Sequence, residues 1–455
     1  MNASKLAQRL PASWIGVESG WQSVSEEPWD HLVSLTSSQL DVHALLIGAS
    51  GSGKTTLMQQ LIAQDIAANH SICVLDKRGD AVESILELCA GIVDPKRFRI
   101  IDLAEKQNPF GFNPLAGSGE PYFQALNVLD AVAKTSESWG VQLAETLRFA
   151  LMLLAEVKEP ITEIESLFFN ATFRLQCLSK CREPSTVSFW SRFEDLSADK
   201  QSTLAMPVLN KISLLFATES LRKTLSHPNP IDLQSHLNTP GSILLISLAV
   251  AEVHSAGAMM GNMVLSSIFR EVFGRTSIPE SQRNPVRLYV DEFEHFVGDN
   301  FEPVFEEGRR FRLSLVLAHQ TLAQLTPKLR ALILTNAGVK LAFRCGREDA
   351  GILSRALNVD PEILDLANLP TGVTVLWRVG HPIVTVEVNE PMLRQVRRSS
   401  EAIRSFRRSI FEQTNHGHVL PQNNQSIVKV RPTAKDQTGF FPKTTSNSFL
   451  WEDWL

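Results

Sequence analysis

Short apolar runs alternate with helix-type patterns over two stretches of the chain. In the first stretch, about 41 to 115, the runs ALLIG, SICVLD and RFRIIDL are separated by TTLMQQLIAQDIA and AVESILELCAGI. In the second stretch the alternation resumes with GSILLISLA, a helix predicted over roughly 252–274, and the runs PVRLYVDE, LSLVLAHQ, GVKLAFRC and VTVLWRV. Apolar strands between amphipathic helices are typical of βαβ units, so both stretches predict one α/β domain with a parallel-rich sheet.

The segment between these stretches, about 120 to 235, has helical patterns instead. LRFALMLLAEV and MPVLNKISLLFA have helical periodicity, with polar breaks at CREPS and SHPNP. We therefore predict that residues 41–119 and 236–390 form the α/β domain. Residues 120–235 are predicted to form an all-α insertion domain within it.

The two ends of the chain have different patterns. Residues 1–40 show no clear period, so we predict a lead-in segment that packs on the main domain. Residues 391–413 predict a basic helix, which is either a solvated face or a contact for nucleic acid or an acidic partner; its arginines are Arg394, Arg397, Arg398, Arg404, Arg407 and Arg408. Residues 414–455 predict a largely disordered tail that ends in FLWEDWL. This motif suits docking in a groove of a protein partner, or it folds back onto its own domain.

Composition limits the classes of protein that fit. With 455 residues and 44 % hydrophobic residues, the chain can bury a large core. Its net charge of -5 excludes a protein coated in basic surface, so any nucleic-acid contact must come from local clusters or from the inner surface of an oligomer. Five cysteines without a CxxC pair favour a reducing compartment. The longest apolar run, SILLISLAVA, is shorter than the about 20 residues that a bilayer needs, so we predict a cytoplasmic protein that reaches membranes only through a partner.

A phosphate-binding loop follows the first predicted strand and precedes a helix. Backbone N–H groups of such a loop wrap phosphates, Lys54 reaches the β and γ phosphates, and the Thr55 hydroxyl can ligate Mg²⁺. The alternative is a Gly/Ser-rich turn with a chance lysine. The sequence thus predicts ATP and Mg²⁺ as cofactors, bound by Gly48, Ala49, Ser50, Gly51, Ser52, Gly53, Lys54, Thr55 and Thr56.

Three polar residues follow two later apolar strands. Asp291, after RLYV, is suited to orient Mg²⁺, and Glu292 is suited as general base on the attacking water. The alternative is that this acidic pair only caps the next helix. Gln320, after LSLVLAH, is placed to sense the γ-phosphate or hold the water, or else it only forms a turn.

The loop is also similar to those of ABC transporter ATPases, but the rest of the chain is not. ABC proteins carry an LSGGQ-like motif shortly before their acidic pair, whereas this chain has NMVLSSIFREVFGRTSIPESQRN there. In addition, a predicted helical domain separates Lys54 from Asp291. These two features exclude the ABC class.

In order and spacing, the motifs resemble the HerA/FtsK superfamily, and within it the type IV secretion coupling proteins of the TraD/TraG/VirD4 type. The resemblance spans roughly 40–390, and besides the loop it rests on VLDKRGD at 74–80, GFNPLA at 111–116, LYVDEFEHF, EEGRRFRLSLVLAHQTLAQL at 306–325 and KLAFRCGREDAGILSRAL at 340–357. It implies a RecA-like P-loop NTPase core. It also implies a homo-oligomer, usually a hexameric ring, that moves DNA through its pore without reading sequence.

The resemblance further implies an arginine that acts on the neighbouring subunit's nucleotide. Arg344 matches the family position, with Arg309, Arg310 and Arg347 behind it, although arginines at such places are more often surface ion pairs. Two departures from the family stand out. The first is that no membrane helix is predicted. The second is that Lys77 replaces the proline of the family's Asp-Pro-Lys-Gly-Asp motif, so that Lys77 and Arg78 are adjacent cations. These two residues are predicted either to contact DNA or to belong to a solvated loop.

The function expected from these features is an ATP-hydrolysing DNA translocase that serves conjugative or mobile-element DNA transfer. Two other functions stay open at this point. One is a nucleotide-dependent recruitment module that binds a DNA-protein substrate without translocation. The other is an ATPase that drives protein transport.

Overall fold

The structure is a computed structural model and describes residues 14–18, 32–136, 138–253, 255–293, 296, 301–388 and 398–414. Its eleven strands are β1 (Trp14–Glu18), β2 (Leu32–Ser34), β3 (Ala44–Ile47), β4 (Ser71–Asp76), β5 (Phe98–Asp102), β6 (Ile243–Ser247), β7 (Val286–Val290), β8 (Leu313–His319), β9 (Val339–Phe343), β10 (Val373–Arg378) and β11 (Val384–Glu387). All belong to one sheet.

The helices fall into three groups along the chain. Those of the first part are α1 (Ser37–Leu40), α2 (Lys54–Ala67) and α3 (Asp80–Cys89). Those between β5 and β6 are α4 (Pro121–Lys134), α5 (Val141–Val157), α6 (Ile164–Phe169), α7 (Ala171–Lys180), α8 (Pro184–Glu194), α9 (Ala198–Ile212), α10 (Glu219–Leu225) and α11 (Leu233–Asn238). Those after β6 are α12 (Val250–Val253), α13 (Ser255–Phe273), α14 (Phe301–Glu307), α15 (Pro327–Asn336), α16 (Arg347–Leu357) and α17 (Ser400–Thr414).

Short 3-10 helices complete the described elements; they are Pro95–Arg97, Ile161–Glu163, Ser213–Phe216, Arg275–Ser277, Glu280–Gln282, Gly308–Phe311 and Leu322–Gln324. Within the described part of the chain, no helix has both the length and the apolar character needed to cross a bilayer.

The sheet is parallel in its larger part and antiparallel at one side. Its strand order is β2-β1-β11-β10-β9-β3-β8-β7-β4-β6-β5. The seven strands from β9 to β5 pair in parallel, and the four from β10 to β2 are added antiparallel. Parallel neighbours are joined by crossover connections, and the helices in these connections cover both faces of the sheet. Central strands such as β4 are therefore buried along their whole length.

Two hydrophobic cores lie on the two faces of the sheet. On one face Ala44 and Leu46 of β3 pack with the apolar residues of α2 and α3. Leu45 and Ile47 point to the other face, where α13 and the helices of the insertion supply most of the partners. Successive residues of a strand alternate between faces, so a single apolar strand serves both cores. The result is a domain of three layers, and the predicted α/β class with a parallel-rich sheet is confirmed.

Between β5 and β6 the described residues form helices and short connections, without a strand. Trp190 lies at the centre of this helical part, with its ring 5.5 Å from that of Phe168 and 5.1 Å from that of Phe193. These helices join the same core as α13. The insertion is therefore packed onto the sheet domain through apolar contacts.

Two segments differ from the sequence-based expectation. In residues 1–40 the strands β1 and β2 were not predicted, yet β1 pairs with β11 and thereby extends the sheet. Their short length and lack of alternation left no detectable pattern.

The predicted basic helix at 391–413 is observed as α17, which begins later, at Ser400; Arg394 and Arg397 lie outside the described residues. α17 is not simply a solvated face. Phe406 is buried against Phe98 at 5.3 Å between ring centroids, and Arg407 forms ion pairs with Asp102 and Glu83. Of the tail predicted at 414–455, Thr414 ends α17, and the remainder, with FLWEDWL, lies outside the described residues.

Candidate functional site

Four neighbouring parallel strands end at one edge of the sheet, and residues at and after their ends line one cleft. The strands are β3, β8, β7 and β4. In open α/β sheets, ligands bind at this carboxyl edge. The cleft has a volume of about 160 Å³, and the residues that line it are Ser50, Gly51, Lys54, Thr55, Asp76, Lys77, Arg78, Asp80, Ala81, Asp291, Glu292 and Gln320.

The loop from Gly48 to Gly53 is fixed by backbone contacts with the neighbouring strands. The N–H of Ala49 donates to the carbonyl of Arg344 at 2.7 Å, and the N–H of Gly48 donates to the carbonyl of His319 at 3.2 Å. A Cβ at Gly48 would lie 2.6 Å from the Cβ of Phe343. The close approach of the loop to β9 thus requires glycine at this position.

The loop ends at the N-terminus of α2 in an arrangement that suits phosphate. Gly53 has φ +114°, and no side chain at this N-cap position accepts from the first N–H groups of α2, which are the groups that bind phosphate at a helix N-terminus. The buried hydroxyl of Ser52 has no hydrogen-bond partner among the described residues. Lys54 donates to the carbonyls of Gly48 at 2.7 Å and Ala49 at 3.0 Å. These donors fit the phosphates of a nucleotide.

An oxygen pair beside Lys54 suits a divalent cation. The hydroxyl of Thr55 donates to Oδ2 of Asp291 at 3.3 Å. Burial raises the pKa of Asp291, and the charges of Glu292 and Asp76 raise it further, against the opposing effects of the Glu292 N–H and Lys54. A bound Mg²⁺ would favour the ionised form of Asp291, since a cation beside a carboxylate stabilises its charge.

Glu292 has an unusual backbone conformation and three side-chain donors. Its φ of +50° lies in the left-handed region, which costs a non-glycine residue energy and is concentrated at functional sites. Oε2 accepts from Lys77 Nζ at 2.9 Å, and Oε1 accepts from Arg78 Nη2 at 3.0 Å and from Gln320 Nε2 at 3.1 Å. The carboxylate is therefore held by two cations and an amide.

The loop that supplies these two cations is itself held by Asp76 at the end of β4. The Asp76 carboxylate accepts from the N–H groups of Arg78 at 2.9 Å, Ala81 at 2.7 Å and Val82 at 3.2 Å. It thus caps α3, whose own N-cap residue Gly79 has no side chain to do so. The backbone of Lys77 and Arg78 is fixed relative to the sheet.

A second contact between α2 and β7 lies away from the cleft. Asp65 of α2 is buried and accepts from Arg287 and Tyr289 of β7 and from the ring of His70. Burial raises the pKa of Asp65, but these donors and the Arg287 charge outweigh that effect and hold it below its ordinary value. Arg287 and Tyr289 share one face of β7, and Asp291 directly follows the strand. α2 is therefore tied to β7 at Asp65 and to the residue after β7 at Thr55.

The structure brings most of the predicted site residues together. The loop at 48–56, Asp291, Glu292 and Gln320 meet at the carboxyl edge of the sheet, with Gln320 directly on Glu292. Arg344 follows β9; its carbonyl holds the loop of its own chain, and its half-buried side chain is not among those that line the cleft. Its action on a neighbouring subunit stays a prediction.

Three contributors were not assigned to the site from the sequence. Lys77 and Arg78 were predicted as DNA contacts or a solvated loop, whereas the structure places both on Glu292. Asp76 was not singled out. The signal was available in the pattern, because DKRGD follows an apolar strand just as DE follows β7, and parallel strands end at the same edge.

Comparisons with known proteins support the P-loop assignment. Residues 31–95 match the family described as type IV secretion-system coupling protein DNA-binding domain. A search of curated proteins finds no match.

Solved structures share the fold over most of the chain. The bacterial conjugative coupling protein TrwBdeltaN70, in its unbound monoclinic form, matches with a TM-score of 0.58 and 16% identity, covering 86% of this chain and 92% of that one. The plasmid coupling protein TrwB in complex with ADP and Mg²⁺ matches with a TM-score of 0.58 and 16% identity, covering 86% and 93%. VirB4 of Thermoanaerobacter pseudethanolicus matches with a TM-score of 0.53 and 14% identity, covering 85% and 98%. The predicted RecA-like P-loop fold and the resemblance to coupling proteins are confirmed.

Proposed function

We propose that the chain is an ATP-hydrolysing motor of the coupling-protein type that moves DNA in conjugative or mobile-element transfer. The observation that carries the proposal is the meeting of the loop at Gly48, the Thr55–Asp291 pair and Glu292 in one cleft. A nucleotide-binding loop alone serves many proteins, but a second acidic residue beside it is what hydrolysis requires. Two comparisons support DNA as the molecule that the motor moves. They are the match to a coupling-protein DNA-binding domain and the fold shared with conjugative coupling proteins.

Each residue of the cleft has a defined role in this proposal. The N–H groups of residues 48–56 and the Lys54 ammonium bind the phosphates of ATP, and Thr55 and Asp291 hold Mg²⁺. Bound Mg²⁺ neutralises charge on the phosphate oxygens. Glu292 accepts a proton from the water that attacks the γ-phosphorus, and the bond to the β-phosphate oxygen breaks to give ADP and phosphate. Gln320 orients that water or senses the γ-phosphate.

The assembled form that we propose is a homo-oligomeric ring in the cytoplasm, a hexamer by its resemblance to the family. Arg344 of one subunit would reach the nucleotide of the next, so that hydrolysis depends on assembly. A net charge of -5 is compatible with DNA in the pore, because a few basic groups per subunit, repeated around a ring, neutralise the phosphates without reading bases. Membrane association, and the FLWEDWL motif, would act through protein partners.

The test is the ATPase rate measured with and without single-stranded and double-stranded DNA at a stated salt concentration, since phosphate contacts depend strongly on salt. We expect DNA to raise the rate of the wild type. Glu292→Gln should reduce hydrolysis by at least about 100-fold, as the loss of a general base does, while nucleotide binding persists. A wild-type rate that DNA does not change would reject the motor and favour a recruitment module or a protein-transport ATPase.

A further inference from the structure

The contacts of Glu292 raise a chemical problem for its role as a base. A base takes up a proton on a carboxylate lone pair, and protonation removes the charge on which ion pairs depend. Here Oε1 accepts from Arg78 and Gln320, and Oε2 accepts from Lys77. Proton transfer to Glu292 would therefore break its ion pairs with Lys77 and Arg78 at the same time, unless one of these cations leaves first.

The two cations differ in their freedom to leave. The Lys77 side chain is 23% exposed, whereas the Arg78 side chain is 68% exposed, against 13% for Glu292. The backbone N–H of Arg78 is fixed by Asp76, so only the long side chain can change position. An exposed ion pair of this kind is weak and exchanges its partner at little cost. Arg78 is thus the mobile member of the pair.

Phosphate is the natural competitor for the Arg78 guanidinium. A guanidinium binds phosphate oxygens in the same two-pronged geometry that it uses for carboxylates. Arg78 also lines the cleft that holds Lys54 and Thr55, while its exposed side faces solvent. It can therefore be reached by a phosphate group from outside the cleft or from within it.

We propose that Arg78 exchanges the Glu292 carboxylate for a phosphate group, and that this exchange frees Glu292 to accept the proton of the attacking water. Arg78 is then a positioning residue that links phosphate binding to hydrolysis. The inference rests on the proposed function, because it assigns a control step to the same site. The high exposure of Arg78 favours the backbone of a bound nucleic acid as the source of the phosphate; the γ-phosphate of ATP is the other source of the same chemistry.

The test compares Arg78→Ala, Arg78→Lys and a matched control in steady-state ATPase assays with and without single-stranded DNA. Lys223→Ala is the control, since Lys223 is an exposed cation that pairs with Glu219 at 2.8 Å on a helix of the insertion. We expect Arg78→Ala to raise the DNA-free kcat by up to about five-fold, the effect of losing one exposed ion pair while Lys77 stays in place. The ratio of DNA-stimulated to DNA-free rate should fall toward one at an unchanged KM for ATP. Arg78→Lys should keep most of the wild-type ratio.

The other outcomes are separable. A rise in the KM for ATP without a change in ADP affinity, together with retained DNA stimulation, would support the exchange and assign the phosphate to the nucleotide. Arg78→Ala kinetics equal to those of the wild type and Lys223→Ala would overturn the exchange. So would a kcat lowered by the same factor with and without DNA at unchanged KM, since that is a purely structural effect. A wild type that DNA does not stimulate rejects the proposed function itself. Equal thermal unfolding midpoints show that the variants are folded.

Discussion

Gly48→Ala places one methyl group at the tightest contact of the loop. Its Cβ would lie 2.6 Å from the Cβ of Phe343 and 3.0 Å from both the carbonyl oxygen of Arg344 and the hydroxyl of Ser52. Carbon atoms in favourable contact are about 3.5 to 4.0 Å apart, so the loop must move by roughly 1 Å. That movement acts directly on the hydrogen bond of 2.7 Å between Ala49 and Arg344.

The magnitude follows from the cost of overpacking. One methylene too many in a tight site costs about 1 to 3 kcal/mol. If the loop relieves the clash by leaving its binding geometry, this cost is expressed as weaker nucleotide binding, by about five- to 150-fold. The fold should persist, because the strand β3 before the loop stays paired on both sides.

The assay is titration of each variant with a fluorescent ADP analogue in the presence of Mg²⁺, and two other glycines provide matched controls. A Cβ at Gly51 meets nothing within 4 Å, but φ is +71°, so Gly51→Ala tests backbone strain alone, worth about 1 to 3 kcal/mol. A Cβ at Gly346 also meets nothing within 4 Å, and φ is -64°, so Gly346→Ala should bind as the wild type does. Gly48→Ala with wild-type affinity would refute the claim that contact with β9 shapes the loop.

Two further predictions concern buried carboxylates. Asp291→Asn should abolish the Mg²⁺-dependent part of thermal stabilisation by ADP, and without metal it should be at least as stable as the wild type. The reason is that the pKa of Asp291 is raised, so its ionisation in the folded state without metal costs free energy. The thermal stability of the metal-free wild type relative to Asp291→Asn should therefore fall as pH rises from about 4 toward the raised pKa of Asp291. Thermal unfolding across this pH range measures the effect. Tyr289→Phe removes a donor from buried Asp65 and should lower the free energy of unfolding by about 1 to 3 kcal/mol in denaturant titrations. Because the pKa of Asp65 is lowered, ionised Asp65 stabilises the fold fully above its ordinary pKa, and this stabilisation is lost as pH falls through the lowered pKa. The difference in unfolding free energy between the wild type and Tyr289→Phe should therefore shrink in acid. A difference that does not change with pH would contradict this account.

Local patterns were sufficient to predict the part of the site that lies on single strand-to-loop junctions. The apolar run before Gly48 and the run before Asp291 are each followed by polar residues, which predicts a site at the carboxyl edge, and residues of both segments line one cleft in the structure. The same reasoning led to Gln320, which contacts Glu292. These residues could be predicted because strand polarity fixes the edge at which a strand ends.

Pairings between distant segments could not be predicted in this way. Nothing local to Lys77 or Arg78 indicates that Glu292 would be their partner, since that depends on β4 lying beside β7. The contact of Asp65 with Tyr289 likewise needs the packing of α2 on one face of β7. The burial of Phe406 depends on an apolar surface at β5 that the sequence of α17 does not show. Each of these contacts depends on the order of the strands in the sheet and on what packs against them, and the local sequence of either partner does not contain that information.

The position of β3 in the sheet has a consequence for how the protein is made. Both sheet neighbours of β3 are late in the chain, since it pairs with β8 and β9 and not with the next strand, β4. At a synthesis rate of about 5 to 20 residues per second, β9 is therefore synthesised roughly 15 to 60 seconds after β3. During that time the apolar residues and unpaired backbone of β3 are open to aggregation, while the insertion, whose contacts are local, can already fold. Truncation before β9 should thus leave a chain that depends on chaperones.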